Sequence, residues 1–297
     1  MLNTEMVKWL DDSTSNKRTN VFGELPDTLN FEVAFEPTLV PHKKYVLNAT
    51  TGEYLDTVGH TFNCASHPEY VHGVWDVMME ELHPADLEGV TVDFKAARHG
   101  AWMLMNVVFP NVKVHVETGK HSTEIAQRVI GLHGIDGSCS NQVYYGGIDF
   151  FCTNGMISGE YDVVRRKNSS GFNMATFIEE LRKAKQDFYE HGRKLQTWAS
   201  THVGSDAVKE MLLEVLQSQR KADKMFSLFM DESVTRGFNL FSLYSAFTNY
   251  ASHATEENGF ELRTTRNDTG AQTMFKREND VSKWISTPQF QALELAA

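Results

Sequence analysis

The sequence has few cysteines and no long apolar run, and each shortage excludes a class of protein. Three cysteines in 297 residues are too few for a disulfide scaffold and are typical of a reducing compartment. The longest apolar stretch, residues 101–109, is interrupted by Asn106 and is too short to span a membrane. Residues 1–12 carry acids where a secretory signal would carry an apolar core. We therefore expect a cytoplasmic protein with no membrane partner.

The motifs of the common catalytic and nucleotide-binding sites are also missing. The sequence contains no P-loop, no complete G-x-G-x-x-G, no G-x-S-x-G and no H-E-x-x-H. The glycines at 134 and 137 lack the Lys-Ser/Thr ending of a P-loop, and they are typical of a tight turn in which Asp136 bonds the backbone. We predict no cofactor, no bound metal and no catalytic residues.

A cluster of three histidines and one cysteine at residues 60–72 leaves an enzymatic function as an alternative. Histidine and cysteine are zinc-binding residue types, but structural zinc sites pair their ligands at tight, regular spacings. The spacing here is irregular, so polar surface and helix caps explain these residues more simply. The alternative is a metal-dependent nuclease or hydrolase that uses this cluster or two of the acids: His60, Cys64, His67 and His72, or Asp136 and Asp149.

The acidic excess is confined to one half of the chain. Residues 1–160 contain 10 lysines and arginines against 21 acids, residues 161–297 contain 18 of each, and the net charge is −11. A net acidic protein does not adhere to nucleic acid without a specific site. The acidic net charge does not exclude a local basic surface, because salt screens each charge beyond about 10 Å.

The periodicity of apolar residues changes near residue 172. Before it, segments such as Val112–Glu117 alternate as half-buried strands do, and Tyr45–Asn48 with Tyr54–Val58 predict a hairpin. After it, apolar residues recur seven apart from Met174 to Trp198 and predict one long helix. We predict an α+β fold, with a curved antiparallel β-sheet in the first half followed by long helices in the second half.

Further elements and boundaries follow from the same patterns. Helical spacing predicts helices at residues 68–83, 208–229 and 240–253, the last of them capped by Asn239. Pro110-Asn111 predicts a turn between two strands. We divide the chain into a flexible N-terminal lead (1–30), a β-rich core (31–170), a helical region packing on the sheet (171–255) and a C-terminal tail (256–297).

Basic residues gather where the sheet is predicted to meet the first long helix. Some follow a strand, some lie in that helix, and others lie in a turn between two strands. Binding of a nucleic-acid backbone needs lysines and arginines that converge on one line. The simpler alternative is a solvated surface. The predicted nucleic-acid-binding residues are Lys95, Arg98, Arg165, Arg166, Lys167, Arg182 and Lys185.

A set of short motifs surrounds these basic residues. Asp136-Gly137-Ser138 is followed by a strand, by Cys152-Thr153-Asn154-Gly155, and by the basic cluster before the helix; residues 239–253 then read as a closing helix. This order resembles the phage- and plasmid-related family known as domain of unknown function 932, over about residues 40–260. The family's basic cluster usually ends in Arg/Lys-His-Thr, whereas here Lys167 is followed by Asn168-Ser169.

The resemblance carries an expectation about function. The family's order of elements is similar to the core of the Rad-type and phage single-strand annealing proteins, which is an analogy at the level of the fold. It implies a phage protein for DNA recombination that binds and anneals single-stranded DNA in the cytoplasm of a bacterial host. The expected assembly is a ring or filament of identical subunits. The acidic net charge supports another alternative, an acidic host-interaction or anti-restriction protein.

Overall fold

The predicted α+β class is confirmed, with two antiparallel sheets followed in sequence mainly by helices. A computed structural model describes residues 25–80, 82–149, 155–157, 163–169, 172–184, 188–253 and 270–295. Most of the predicted N-terminal lead lies outside these residues. None of the described helices is long and apolar enough to cross a membrane.

The strands form a small sheet and a large sheet. The small sheet has the order β1-β2-β3, and the large sheet has six strands in the order β4-β5-β6-β7, with β8 and β9 both paired to β7. The strands are β1 Val33–Pro37, β2 Lys43–Asn48, β3 Tyr54–Gly59, β4 Thr91–Ala97, β5 Trp102–Glu117, β6 Ser122–Gly134, β7 Asn141–Asp149, β8 Gly155–Ile157 and β9 Val163–Arg166.

One helix precedes the large sheet, and the other described helices follow it. A short 3-10 helix, Pro84–Leu87, lies between the first helix and β4. The helices are α1 His67–Met79, α2 Met174–Ala184, α3 Phe188–Ser200, α4 Ser205–Leu216, α5 Gln219–Arg236, α6 Leu240–His253, α7 Gly270–Ile285 and α8 Pro288–Leu295.

The predicted hairpin is confirmed as β2 and β3, which pair in antiparallel register with Tyr45 opposite Thr57. Asn48 shapes its turn, because the Asn48 side-chain oxygen accepts hydrogen bonds from the backbone N–H groups of Thr50 (2.9 Å) and Thr51 (3.1 Å). The preceding strand β1, which the sequence pattern did not predict, pairs with β2.

The predicted turn at Pro110-Asn111 is wrong. Trp102–Glu117 is one 16-residue strand, and its register against β6 shifts between Phe109 and Lys113. Proline lacks a backbone N–H to donate, and a bulge is one of the few sheet positions that tolerate this loss. The chain therefore continues as a strand with a local irregularity.

The main core lies between the large sheet and the helices. Met103, Met105 and Val107 of β5 are fully buried in it, and we call the side of the sheet that they occupy the inner face. Helix α1 packs on this face, where Trp75 stacks on Phe109 with ring centroids 6.3 Å apart. The opposite side, which carries Leu104 and Asn106, is the outer face.

The helical half contains one break that the sequence pattern did not predict. The helix expected at 208–229 is two helices, because Gln217 ends α4 in the left-handed conformation and Ser218 caps α5. The helix expected from Met174 to Trp198 corresponds to α2 and α3, and residues 185–187 between them lie outside the described residues. The cap at Asn239 is confirmed, since its side chain accepts from the N–H of Ser242 at 2.8 Å.

Residues 270–295, in the segment expected to be a C-terminal tail, form two helices that contribute to the core. Phe290 of α8 is fully buried. Helix α7 is joined to the outer face by a buried ion pair between Arg128 of β6 and Glu278, with 2.7 Å between nitrogen and oxygen and side chains only 3% and 4% exposed. The Arg128 Nε also donates to Asn106 at 2.6 Å.

A second buried ion cluster joins α5 to β7. Arg236 donates to Asp149 at 2.6 Å and also pairs with Glu232 on its own helix. The hydroxyl of Thr123 donates to the other oxygen of Asp149 at 2.6 Å. Removing either partner would leave a charge in a site without water, so these contacts fix where the helix meets the sheet.

We expect Glu278→Gln to destabilise the protein by about 3 kcal/mol, because it leaves the buried Arg128 guanidinium without an opposite charge. The measurement is the free energy of unfolding in urea. The matched control is Glu180→Gln, which removes a more exposed partner of Arg166 and should cost less than about 1 kcal/mol. Equal losses in the two variants would contradict the role assigned to the buried pair.

Candidate nucleic-acid interface

The predicted binding residues are distributed over the large sheet and its flanking elements. Lys95 of β4 pairs with Leu104, Leu104 with Leu132, Leu132 with Gln142, and Gln142 with Arg165 of β9. Lys95 and Arg165 therefore lie in one row on the outer face. They are about 19 Å apart, because the row crosses four strand spacings.

Two of the predicted arginines are held by carboxylates of neighbouring helices. Arg166 forms a two-point contact with Glu180 of α2, in which Nε lies 2.5 Å from one carboxylate oxygen. Arg182 of α2 donates from Nε to Glu80 at 2.7 Å and also pairs with Glu179. These ion pairs reduce the positive charge that both side chains offer to a ligand.

Arg98 neutralises a buried carboxylate. Its Nε lies 3.0 Å from Asp136, whose side chain is inaccessible to solvent, and a second nitrogen lies 3.4 Å from Asp56. Asp136 also accepts hydrogen bonds from the N–H (2.9 Å) and hydroxyl (2.6 Å) of Ser138 and from the indole of Trp102 (3.2 Å). The role of Arg98 is thus structural compensation.

The other residues of the family motifs lie in the turn at residues 136–138, at the start of β8, or outside the described residues. Gly137 has a φ of 75°, in the left-handed region that favours glycine, so the Asp136–Ser138 motif is a turn closed by its own aspartate. Gly155 begins β8. The remaining predicted residues, Cys152, Thr153, Asn154 and Lys185, lie outside the described residues.

A basic cleft opens where β9 meets α2. It has a volume of about 580 Å³ and combines cations, polar groups and aromatic rings. We call it the edge cleft, because β9 pairs with β7 alone among the described strands. Its lining residues are Arg165, Arg166, Lys167, Ser169, Phe172, Asn173, Thr176 and Phe177.

Two cations of the edge cleft keep their charge available. Arg165 is exposed, and its Nε donates to the neutral side-chain oxygen of Gln142 at 2.9 Å. The same oxygen accepts from the Tyr144 hydroxyl at 2.7 Å, which fixes the acceptor in place. Lys167 is exposed and forms no ion pair with any described residue. Arg165 and Lys167 therefore offer a ligand more positive charge than Arg166 and Arg182, which are paired with carboxylates.

The start of α2 adds to this positive character. The side chain of Asn173 accepts from the N–H of Thr176 at 3.3 Å and caps the helix. The N-terminal end of a helix carries a partial positive charge, which stabilises a nearby anion. Cations, a helix N-terminus and the half-buried ring of Phe172 together suit a ligand with phosphates and flat rings.

Asn168 holds the edge strand in place, and sequence reasoning missed this role. Its Nδ2 donates to the carbonyl of Gly134 at 2.5 Å, and its Oδ1 accepts from Asn141 at 2.7 Å. The residue therefore ties the end of β9 to β6 and β7. The only sequence signal was that this position departs from the histidine usual in the resembled family.

A column of five rings runs from the edge cleft into the inner face. The centroid distances are 6.4 Å from Phe172 to Phe177, 5.8 Å from Phe177 to Tyr70, 4.6 Å from Tyr70 to His133, and 4.8 Å from His133 to His67. Four of the five residues are fully buried. The column supports the wall of the cleft from below.

The two histidines of this column have fixed tautomers. Nε2 of His67 must donate to the carbonyl of Gly100, 2.7 Å away, so its Nδ1 is an acceptor when the ring is neutral. Nδ1 of His133, at 2.7 Å, therefore donates to it. Burial lowers the pKa of His67 to about 4 and lowers that of His133 well below its usual value, and the neighbouring His67 adds to the shift of His133. Both rings are neutral at pH 7.

We expect the protein to lose stability as the pH falls below about 6.5. Burial also lowers the pKa of His191 to about 4. As the pH falls from about 6.5 towards 4, the unfolded chain therefore binds protons at three histidines that the folded protein keeps neutral: His67, His133 and His191. The free energy of unfolding should fall by up to about 1.4 kcal/mol per pH unit for each histidine.

Urea unfolding at pH 7, 6 and 5 measures this dependence. The variant His191→Gln removes one of the three sites, so it should show a shallower loss over the same range. A stability that does not change between pH 7 and pH 5 would contradict the assignment of neutral, buried rings.

The zinc-like cluster of the sequence does not assemble. Among the described residues, which include His60, Cys64, His67 and His72, no three metal-binding side chains come together. His67 instead bonds the carbonyl of Gly100 and the ring of His133. Burial raises the pKa of the Cys64 thiol to about 12, so this cysteine is a weak nucleophile at neutral pH.

Comparison with known proteins gives one match. The family model described as "Domain of unknown function (DUF932)" matches residues 55–286, which begins within β3 and ends just after α7. No curated protein and no solved structure matches the chain.

Proposed function

Because the chain belongs to the DUF932 family and contains the edge cleft, we propose that it binds single-stranded DNA and anneals complementary strands without catalytic chemistry. The observation that carries this proposal is the cleft itself, where Arg165 and Lys167 lie beside the ring of Phe172. Proteins that bind single strands combine a cationic groove for the backbone with aromatic rings on which bases stack.

The cleft gives each kind of group a separate role. Arg165 and Lys167 bind phosphates, while the N-terminal end of α2 stabilises the same negative charge. Phe172 offers a ring to one base. Arg166 is held by Glu180 and contributes mainly to the shape of the cleft. Contacts to the backbone leave base edges free, as pairing with a second strand requires.

The wider setting of this function is part of the same proposal. The protein acts in DNA recombination, belongs to a bacteriophage, functions in the cytoplasm of a bacterial host and assembles as a ring or filament of identical subunits. It needs no cofactor. The resemblance to single-strand annealing proteins supports this setting at the level of the fold.

We expect the double variant Arg165→Glu with Lys167→Glu to lose most of its affinity for a labelled oligothymidylate. The slope of log binding constant against log salt concentration should become less negative by about 1.4, because each lost phosphate contact in a single strand contributes about 0.7. Fluorescence anisotropy at 50, 100 and 200 mM salt measures both quantities.

The control carries the same charge change elsewhere. Lys120 and Lys221 are exposed, in the β5–β6 turn and in α5, and the double variant Lys120→Glu with Lys221→Glu should keep the wild-type slope. Equal losses in the two double variants would assign binding to net charge and reject the edge cleft. Wild-type protein that does not bind the oligonucleotide at 50 mM salt would reject the function.

A second candidate function has its own supporting observation. Arg98, Arg166 and Arg182 are each held by carboxylates, so the surface is less basic than the sequence predicts. An acidic host-interaction or anti-restriction protein would need this acidic surface and no DNA site. Capture of one defined host protein by the wild type, together with no binding of oligonucleotide, would favour this candidate.

A further inference from the structure

An apolar turn is presented at one end of the small sheet. Residues 38–42 connect β1 to β2; Leu39 is fully exposed and Val40 is more than half exposed. Thr38 holds the turn in both directions, because its hydroxyl donates to the carbonyl of Val40 (3.1 Å) and accepts from the N–H of Val40 (2.8 Å). Leu39 is therefore an exposed side chain on an ordered support, which lowers the cost of inserting it into a partner.

A cavity of about 510 Å³ lies at the other end of the small sheet. Phe31, Ala96 and Ala97 form its apolar part, and the exposed acids Asp27 and Glu53 lie at its rim. Its lining residues, all of which the structure describes, include no lysine or arginine. The cavity suits an apolar side chain that is accompanied by positive charge.

The turn supplies apolar side chains, Leu39 and Val40, and positive charge lies directly after it. Lys43 and Lys44 follow it directly in β2, and Lys43 is exposed. We propose that Leu39 and Val40 of one copy of this chain insert into the cavity of a second copy, with Lys43, which directly follows the turn, facing the acids of the rim. Charge complementarity identifies a second copy as the occupant, because the same chain carries both surfaces.

The placement of the two surfaces determines the symmetry of this contact. The turn precedes Lys43, at the start of β2, and the cavity is lined by Asn48, at the end of the same strand. These ends are about 17 Å apart. Where each interface contains a single turn–cavity contact, that contact is heterologous, and its repetition produces a ring or a filament. The turn also lies outside residues 55–286, the part that matches the family model.

The first test is the mass of the full chain in solution without DNA, measured by light scattering over a range of concentrations. We expect wild-type assemblies that grow with concentration, and we expect Leu39→Asp to raise the dissociation constant at least about tenfold. The matched control is Val234→Asp, which changes another exposed apolar residue, on α5, and should leave assembly unchanged. A wild-type protein that stays at 33.7 kDa, or equal effects of the two variants, would overturn the proposal.

The second test distinguishes insertion of the turn into the cavity from a contact of one turn with another. Leu39→Cys and Thr51→Cys proteins, mixed under oxidation, should form a disulfide-linked dimer in which each variant is present once. Each variant alone, and the wild type, should give no more cross-linking than the native cysteines allow. Burial raises the pKa of Cys64 to about 12 and also raises that of Cys139, so these thiols react slowly.

The outcomes separate this proposal from the nucleic-acid function. Cross-linking of Leu39→Cys with itself would show turn against turn and overturn the contact with the cavity. Absence of the mixed dimer would overturn it as well. Neither result touches the edge cleft, because both measurements are made without DNA and both variants leave Arg165 and Lys167 intact.

Discussion

Three acids buried in this protein are each neutralised by an arginine from a distant part of the chain. Asp136 is met by Arg98, Glu278 by Arg128, and Asp149 by Arg236. A carboxylate away from water is tolerated only when an opposite charge and hydrogen bonds replace its hydration. These pairs attach a turn, helix α7 and helix α5 to the large sheet, so the placement of the helical half depends on them.

The same requirement limits what the surface can bind. Arginines that satisfy the protein's own acids cannot also hold the backbone of a ligand at full strength, and this applies to Arg98 and Arg128 directly. Arg166 and Arg182 are similarly engaged in more exposed pairs. Among the predicted binding residues that the structure describes, Arg165 and Lys167 concentrate available charge at β9, where the sheet edge, a capped helix and an aromatic ring form one cleft. The function proposed here follows from that concentration rather than from the number of basic residues.

Local patterns in the sequence predicted local structure well. The alternation of Val112–Glu117 and the cap at Asn239 depend on neighbours within a few residues, and both appear as expected. The bulge beside Pro110 and the break at Gln217 are decided by strand pairing and helix packing, which no local pattern records. The Arg128–Glu278 pair joins residues 150 positions apart, so a single sequence contains no sign of it. For the same reason the basic residues of the site could be named but their partners could not.

The hydrogen-bonded imidazoles of His67 and His133 have a consequence for spectroscopy. The proton on Nδ1 of His133 lies between two ring nitrogens in a site that solvent does not reach, so it exchanges with water only when α1 separates from the sheet. Such a proton gives a resonance in ordinary water at a frequency far from the amide envelope. Its rate of exchange with deuterium therefore reports, in the intact molecule, how often the layer beneath the edge cleft opens.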